Sequence, residues 1–324
     1  MTEILKVENL TITYYSHSGS SQIGVKNVNF SLNEGEIYGI VGESGSGKST
    51  ILLAIMGLLY ERAKIEGKIY FKGKEIQNLN KKEMKEVCFK EIGLIFQNQM
   101  ESLNPSLTIE KQILEILRKK FSDKNELQKK LDEVLEMVGL ELKNKKKYPH
   151  ELSGGMRQRV MIAMALACQP SLLICDEPTT ALDVTVQAQI LQIIDRMKQD
   201  LGTAVMLITH DMGVVSEMAD WVLVMYAGHR VEYAQSAELF TNPLHPYAQG
   251  LIASIPSFDE HTKELYAIPG SVPMLSHMPS GCPFHPRCPF AKDICKNRRP
   301  GLTAVGEDNC HTVSCWKYTD EWGE

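Results

Sequence analysis

The sequence predicts an α/β chain: a phosphate-loop core with an antiparallel β subdomain, an inserted helical subdomain and a small cysteine-rich C-terminal domain. Three observations predict it. Short, nearly all-apolar strands alternate with helical segments, the pattern of a mostly parallel sheet covered on both faces. Residues 42–49, GESGSGKS, fit the spacing G-x-x-x-x-G-K-[ST] at every fixed position, between a strand and a helix. Five of the eight cysteines crowd together from Cys282 onward.

At 324 residues the chain can hold one large or two modest domains around a real core. Hydrophobic content of 43% and charged content of 23% are ordinary for a globular protein. A net charge of −5 argues against a general nucleic-acid binder. The longest apolar runs, residues 51–59 and 160–168, fall far short of the roughly 20 residues that a membrane span needs. Met1-Thr-Glu leads straight into a strand pattern, so no signal peptide is expected and a cytosolic chain is.

Taken in order, residues 4–32 alternate in strand fashion on either side of a Gly/Ser-rich turn, an antiparallel edge. Residues 37–41 read as a strand buried on both faces, and from Thr50 the chain turns apolar and helical. Residues 65–76 suggest a hairpin turning at Gly73, and residues 92–96 another buried strand ending at Gln97. The stretch from about 98 to 155 is mainly helical. It carries apolar spacing at Ile113, Ile116 and Leu117 and at Leu131, Val134, Leu135 and Val138, with a stop at Gly139. Its lysine run, residues 143–147, is read as a solvated face, with a role against anionic lipid as the alternative. A helix after Gly155, a strand over 171–175, a helix over 184–200, a strand over 204–209 and a hairpin about Ala227-Gly228 complete the core. A shift to proline-rich and then cysteine-rich composition places a boundary near residue 241, with domains over 1–240 and 241–324.

The chemistry begins at the loop. Glycines let a backbone wrap a phosphate with inward N–H groups, and the following helix adds the positive end of its dipole. Lys48 is placed to reach the β- and γ-phosphates and the Ser49 hydroxyl to ligate Mg²⁺. Gly42, Ser44, Gly45, Gly47 and Thr50 are the accompanying nucleotide contacts. A second element, LLICDEP over 172–178, is an apolar strand ending in two acids. Asp176 suits the Mg²⁺ side, and Glu177 can orient or deprotonate an attacking water. Between them, Leu152-Ser153-Gly154-Gly155 opens a helix, an anion-binding N-terminus in its own right.

These elements, in this order, resemble the ATP-binding cassette (ABC) family over about residues 3–240. Residues 42–49 match its phosphate loop, and Leu152 to Gln158 its LSGGQ-like signature, with Met156 in place of the usual Gln. The resemblance implies that Gln97 senses Mg²⁺ and the attacking water, Asp176 associates with Mg²⁺, Glu177 is the catalytic base and His210 contacts the γ-phosphate. It also implies that Tyr14 packs against adenine, that Ser153, Gly154 and Gly155 contact phosphate, and that Ala181-Leu-Asp183 crosses a dimer interface. Residues 96–105, Asn242 to Tyr247 and the tail from Gly281 to Cys315 resemble oligopeptide/dipeptide importer ATPases more narrowly.

Cysteine clustering in a reducing compartment points to metal before disulfides. The spacing Cys282-x5-Cys288-x6-Cys295-x19-Cys315 comes no nearer to the close pairs of structural zinc sites than Cys310-x4-Cys315. Dispersed thiolates suit a [4Fe-4S] cluster, with Zn²⁺ or no metal as the alternatives and Cys310 competing with Cys315 for the fourth position. The family pattern favours Cys315.

The expectation is therefore an Mg²⁺-dependent ATPase subunit of a peptide importer, peripheral on the cytoplasmic face of the membrane. Its partners would be a second ATPase subunit (a heterodimer, with a homodimer as the alternative), two permease subunits and, indirectly, an extracellular solute-binding protein. An importer for nickel or another small solute, a soluble ABC ATPase acting on ribosomes or DNA, and an iron–sulfur assembly ATPase are the rival readings.

Overall fold

Hydrophobic runs and turn residues divide the chain, in a computed structural model, into elements that form two compact units. The structure describes residues 2–15, 21–59, 63–96, 103–180, 183–255, 266–306 and 309–323, apart from the side chain of Phe89. One unit comprises Met1–Ile4, Leu32–Glu36 and Asn78–Leu207; the other comprises Leu5–Ser31, Ile37–Gln77 and Ile208–Glu324.

In the first unit, strands Ile92–Ile95 and Leu172–Asp176 pair in parallel, Ile92 opposite Leu172 through Ile95 opposite Cys175. Ala204–Thr209, whose first residues belong here, lies beside Leu172–Asp176. Every residue of the latter two strands is buried, as unbroken Val/Ile/Leu runs require of a sheet covered on both faces. The expected strand to Phe96 ends one residue earlier, and that ring is exposed.

Helices Ile109–Leu117 and Lys124–Met137 carry the apolar spacing expected of them. Leu117, Leu131 and Leu135 are fully buried, a placement that stabilises each by about 1.5–3 kcal/mol over exposure. Asp123 starts the second helix by accepting from the N–H groups of Asn125 and Glu126 at 2.9 and 2.8 Å. Gly139, with φ 66°, ends it in the left-handed conformation that L side chains resist. The lysine run is less solvated than its composition suggests. Lys145 is largely buried and pairs with Asp132 at 2.7 Å.

The second unit holds most of a sheet in which Ser21–Asn33, Glu3–Tyr15, Ala63–Phe71 and Lys74–Glu75 lie in that order. Glu3–Tyr15 and Ala63–Phe71 are antiparallel, as are the two arms that turn at Lys72-Gly73. A second set of strands runs Thr303–Val305, His311–Val313, His229–Gln235, Trp221–Tyr226, Ile37–Val41. Ile37–Val41 and Trp221–Tyr226 are parallel, and the remaining pairs antiparallel, so the sheet is mixed. The hairpin turn at Ala227-Gly228, both at positive φ, is the primed turn that such strands favour.

The tail thus returns to pair Val313 with Glu232, covering what would otherwise be an open strand edge. Beneath it, Tyr226, Tyr247 and Phe284 pack with ring centroids 4.7–5.4 Å apart in edge-on and tilted arrangements. Among the described residues no helix is long and apolar enough to cross a membrane.

Candidate nucleotide-binding site

The phosphate loop connects the fully buried strand Ile37–Val41 to helix Lys48–Ile55. Its glycines are used for space as well as for backbone freedom. A Cβ on Gly42, at φ 152°, would fall 2.2 Å from the Met225 carbonyl oxygen and 2.8 Å from Ser46 Oγ. Lys48 is 6% exposed and directs its ammonium back over the loop. It donates to the carbonyls of Gly42 at 2.6 Å and Glu43 at 3.0 Å, and to Ser46 Oγ at 3.4 Å. Ser44, Gly45 and Ser49 are exposed at the mouth of the loop, and Gly47 is half-buried at φ 99°. Tyr14 is half-buried, and its hydroxyl donates to Thr50 Oγ1 at 3.2 Å. Its ring covers Gly24, where a Cβ would lie 2.6 Å from Tyr14 Cε2. His210 is exposed at the end of strand Ala204–Thr209, immediately before Asp211, which caps the next helix.

Glu43, one of the unspecified positions of the loop motif, is tethered through both its backbone and its side chain. Its N–H donates to Tyr247 Oη at 2.8 Å, and Arg287 donates to both carboxylate oxygens at 2.7 and 3.1 Å. Burial alone would pull the Arg287 guanidinium down. The hydrogen bonds to Glu43 and Tyr226 and the charge of Glu43 override it and hold the group above its ordinary range.

The acids stand in the first unit. Asp176 is buried at the end of its strand. Glu177 follows at φ 48°, a left-handed conformation that costs a non-glycine residue about 1–2 kcal/mol, and its Oε2 accepts from Thr180 Oγ1 at 3.0 Å. In the same unit Ser153 caps helix Gly154–Leu166, accepting from Met156 N–H at 3.3 Å, while Gly154 stays exposed and Gly155 half-buried. Five residues after Ser153, the fully buried Gln158 donates to the Pro178 carbonyl at 2.5 Å, so this helix anchors the loop that presents Glu177. Gln97 and Ala181-Leu182 lie outside the described residues, and Asp183 caps helix Val184–Leu201.

Sequence patterns missed three of these residues: Tyr247, Arg287 and the anchoring role of Gln158. The last could have been read from a polar residue on the apolar face of its helix.

The cysteine tail forms a separate pocket in the second unit. Cys282, Cys288, Cys295 and Cys315 line one cavity of about 20 Å³, walled by Phe284, Trp316 and Trp322. Burial first, and then the charges of neighbouring thiols, push Cys282 up to about 12 and Cys315 up to about 11. Cys310 is exposed and does not line the cavity. Among the described residues, no group of three or more His, Cys, Asp or Glu side chains is placed to hold a metal ion.

The ABC transporter family model matches residues 25–180, and that for the oligopeptide/dipeptide transporter C-terminal region matches residues 231–295. The chain is 47% identical to the oligopeptide transport ATP-binding protein OppD of Salmonella typhimurium, over 92% of this chain and 89% of that one. It is 46% identical to the oligopeptide transport ATP-binding protein AppD of Bacillus subtilis, over 100% and 99% of the two chains. The dipeptide transport ATP-binding protein DppD of Bacillus subtilis is 44% identical over 98% of this chain and 95% of its own. Among solved structures, the dimeric cassette MJ0796 superposes with a TM-score of 0.65 at 32% identity, covering 72% of this chain and 99% of that one. The same cassette in a post-hydrolysis state bound to ADP and Pi matches equally well. With the loop, signature and acid elements in place on a cassette fold, the chain belongs to the ABC transporter ATP-binding proteins of the oligopeptide/dipeptide type, enzymes that bind and hydrolyse ATP.

Proposed function

We propose that this chain is the ATP-hydrolysing subunit of an importer that moves oligopeptides or dipeptides across the cytoplasmic membrane. The observation that carries this reading is the match of residues 231–295 to the oligopeptide/dipeptide C-terminal region, in a chain whose likeness to OppD, AppD and DppD runs nearly end to end. Its partners would be a second ATPase subunit, in a heterodimer or a homodimer, and two permease subunits that place it peripherally on the cytoplasmic face. Peptide uptake by a strain lacking this chain, restored by the wild-type chain and not by Lys48→Ala, tests the reading. Restored uptake with Lys48→Ala would overturn it.

In this mechanism the loop amides and Lys48 take the β- and γ-phosphates, and the positive end of helix Lys48–Ile55 adds to them. Ser49, Gln97 and Asp176 supply hard oxygen donors of the kind Mg²⁺ prefers, and the ion would neutralise charge on the phosphate oxygens. Glu177 takes the proton of the attacking water, and His210 meets the γ-phosphate. Tyr14 lies beside the loop for the base. Ser153, Gly154 and Gly155 serve a nucleotide bound by the opposite subunit.

The cysteine pocket is the proposed seat of a [4Fe-4S] cluster on Cys282, Cys288, Cys295 and Cys315. Four soft donors around one cavity fit that group in kind. A cluster bound there would need the thiols to move apart, because about 20 Å³ has room for about one water. It would staple a region whose own apolar core is small, since nothing in ATP hydrolysis calls for an electron carrier.

A further inference from the structure

The tail reaches the phosphate loop at Glu43. Tyr247 Oη accepts its N–H, Lys48 donates to its carbonyl oxygen, and Arg287 takes its carboxylate with both arms of the guanidinium. Arg287 is itself held. Its Nε donates to the Pro269 carbonyl at 2.7 Å and its Nη2 to the Ile268 carbonyl at 3.3 Å. Its side chain is only 5% exposed, against 33% for that of Glu43. A carboxylate within the loop that receives a polyphosphate is electrostatically adverse unless something neutralises it, and Arg287 stands where it does so.

We propose that Arg287 is a positioning residue of the nucleotide site: it cancels the charge of Glu43 and fixes the entrance of the phosphate loop, making the C-terminal region part of the ATP-binding machinery. The bidentate geometry matters as much as the charge, because a planar fork sets the orientation of the carboxylate as a point charge cannot. Cys288 follows directly in sequence, so whatever orders the cysteine pocket also orders the side chain that holds the loop.

The test uses the full-length chain and equilibrium binding of ATP, ADP and AMP to wild type, Arg287→Met and Arg287→Met/Glu43→Gln. Exposing the Glu43 charge repels a ligand in proportion to its own charge. In Arg287→Met the dissociation constant for ATP should therefore rise about tenfold, that for ADP less, and that for AMP hardly at all. Removing the carboxylate as well should bring ATP affinity back toward wild type. Arg287→Gln, which keeps a donor for the Pro269 carbonyl while losing the charge, carries the same expectation should Arg287→Met not fold. Equal weakening for all three nucleotides, unchanged ATP binding, or a double variant no better than the single one would overturn the proposal.

Discussion

His311 Nε2 lies 2.7 Å from Glu232 Oε1, joining a tail strand to a core strand through a carboxylate that is fully buried. The same carboxylate accepts from the N–H groups of Leu244 at 2.8 Å and His245 at 2.7 Å. A strand, a turn and a helix start are therefore fastened at one point. Removing a partner from such a site leaves a buried charge unmet, which is more damaging than the bond itself is stabilising.

The pH dependence of tail docking follows from three histidines. Burial lowers the His311 pKa, but the hydrogen bond to Glu232 and the charges of Glu232 and Glu238 outweigh it, and the net shift is upward. That stabilisation is complete below the ordinary value of about 6.5 and is lost as pH rises through the raised one. His229 and His245 behave oppositely. Burial, joined for His229 by Arg299 and Lys26, depresses both to about 3. The stability they carry is present above about 6.5 and is lost as pH falls toward 3. Proteolytic protection of the tail should therefore peak near neutrality, and His311→Gln should flatten the decline that begins on the alkaline side of neutrality, below the range in which the cysteine thiols titrate. An unchanged alkaline slope in that variant would remove His311 from the account.

Glu177→Gln should slow hydrolysis by about 10²–10⁴, the usual worth of a positioned base, while ATP binding persists. The left-handed backbone at this residue and the hydrogen bond from Thr180 hold the carboxylate in place, and both survive an isosteric change. Single-turnover hydrolysis alongside nucleotide binding measures it. A wild-type rate would mean that another group takes the proton.

Much of this was legible in the chain, for reasons that particular residues make plain. Lys48 and its glycines announce themselves because the chemistry constrains neighbours in sequence, and the hairpins at Gly73 and Gly228 because positive φ selects glycine. Arg287 was not legible: its partner lies 244 positions away, and a long-range ion pair leaves no local period. Glu232 escaped notice for a related reason, since a charged residue within a strand reads as solvent-facing until its donors are known. Lys145 misled in the opposite direction. It sits in a run of like charges, yet Asp132 draws it inward.

Assembly gives a concentration dependence. Ser153 to Gly155 and the phosphate loop are read as facing each other across two subunits, so the isolated chain should hydrolyse ATP slowly when dilute and faster per molecule when concentrated. ATP with Glu177→Gln should shift the sedimentation coefficient toward a dimer. A turnover number that stays constant over a wide dilution series of monomer would refute the composite site.

The tail offers the sharpest separation between two neighbouring residues. Cys315 lines the cavity with Cys282, Cys288 and Cys295, and burial and the other thiols push its pKa up to about 11. Cys310, five positions earlier in sequence, is exposed and stands outside that lining. A cationic iron–sulfur core would relieve the mutual repulsion of thiolates that burial makes costly. Protein prepared anaerobically should be brown and carry about four irons per chain. Cys315→Ser should bleach it and expose residues beyond about 270 to protease, because the order that the metal supplies would be lost. Cys310→Ser should do neither. Colourless protein with one zinc per chain would reject the cluster, and bleaching by Cys310→Ser alone would move the fourth ligand to that residue.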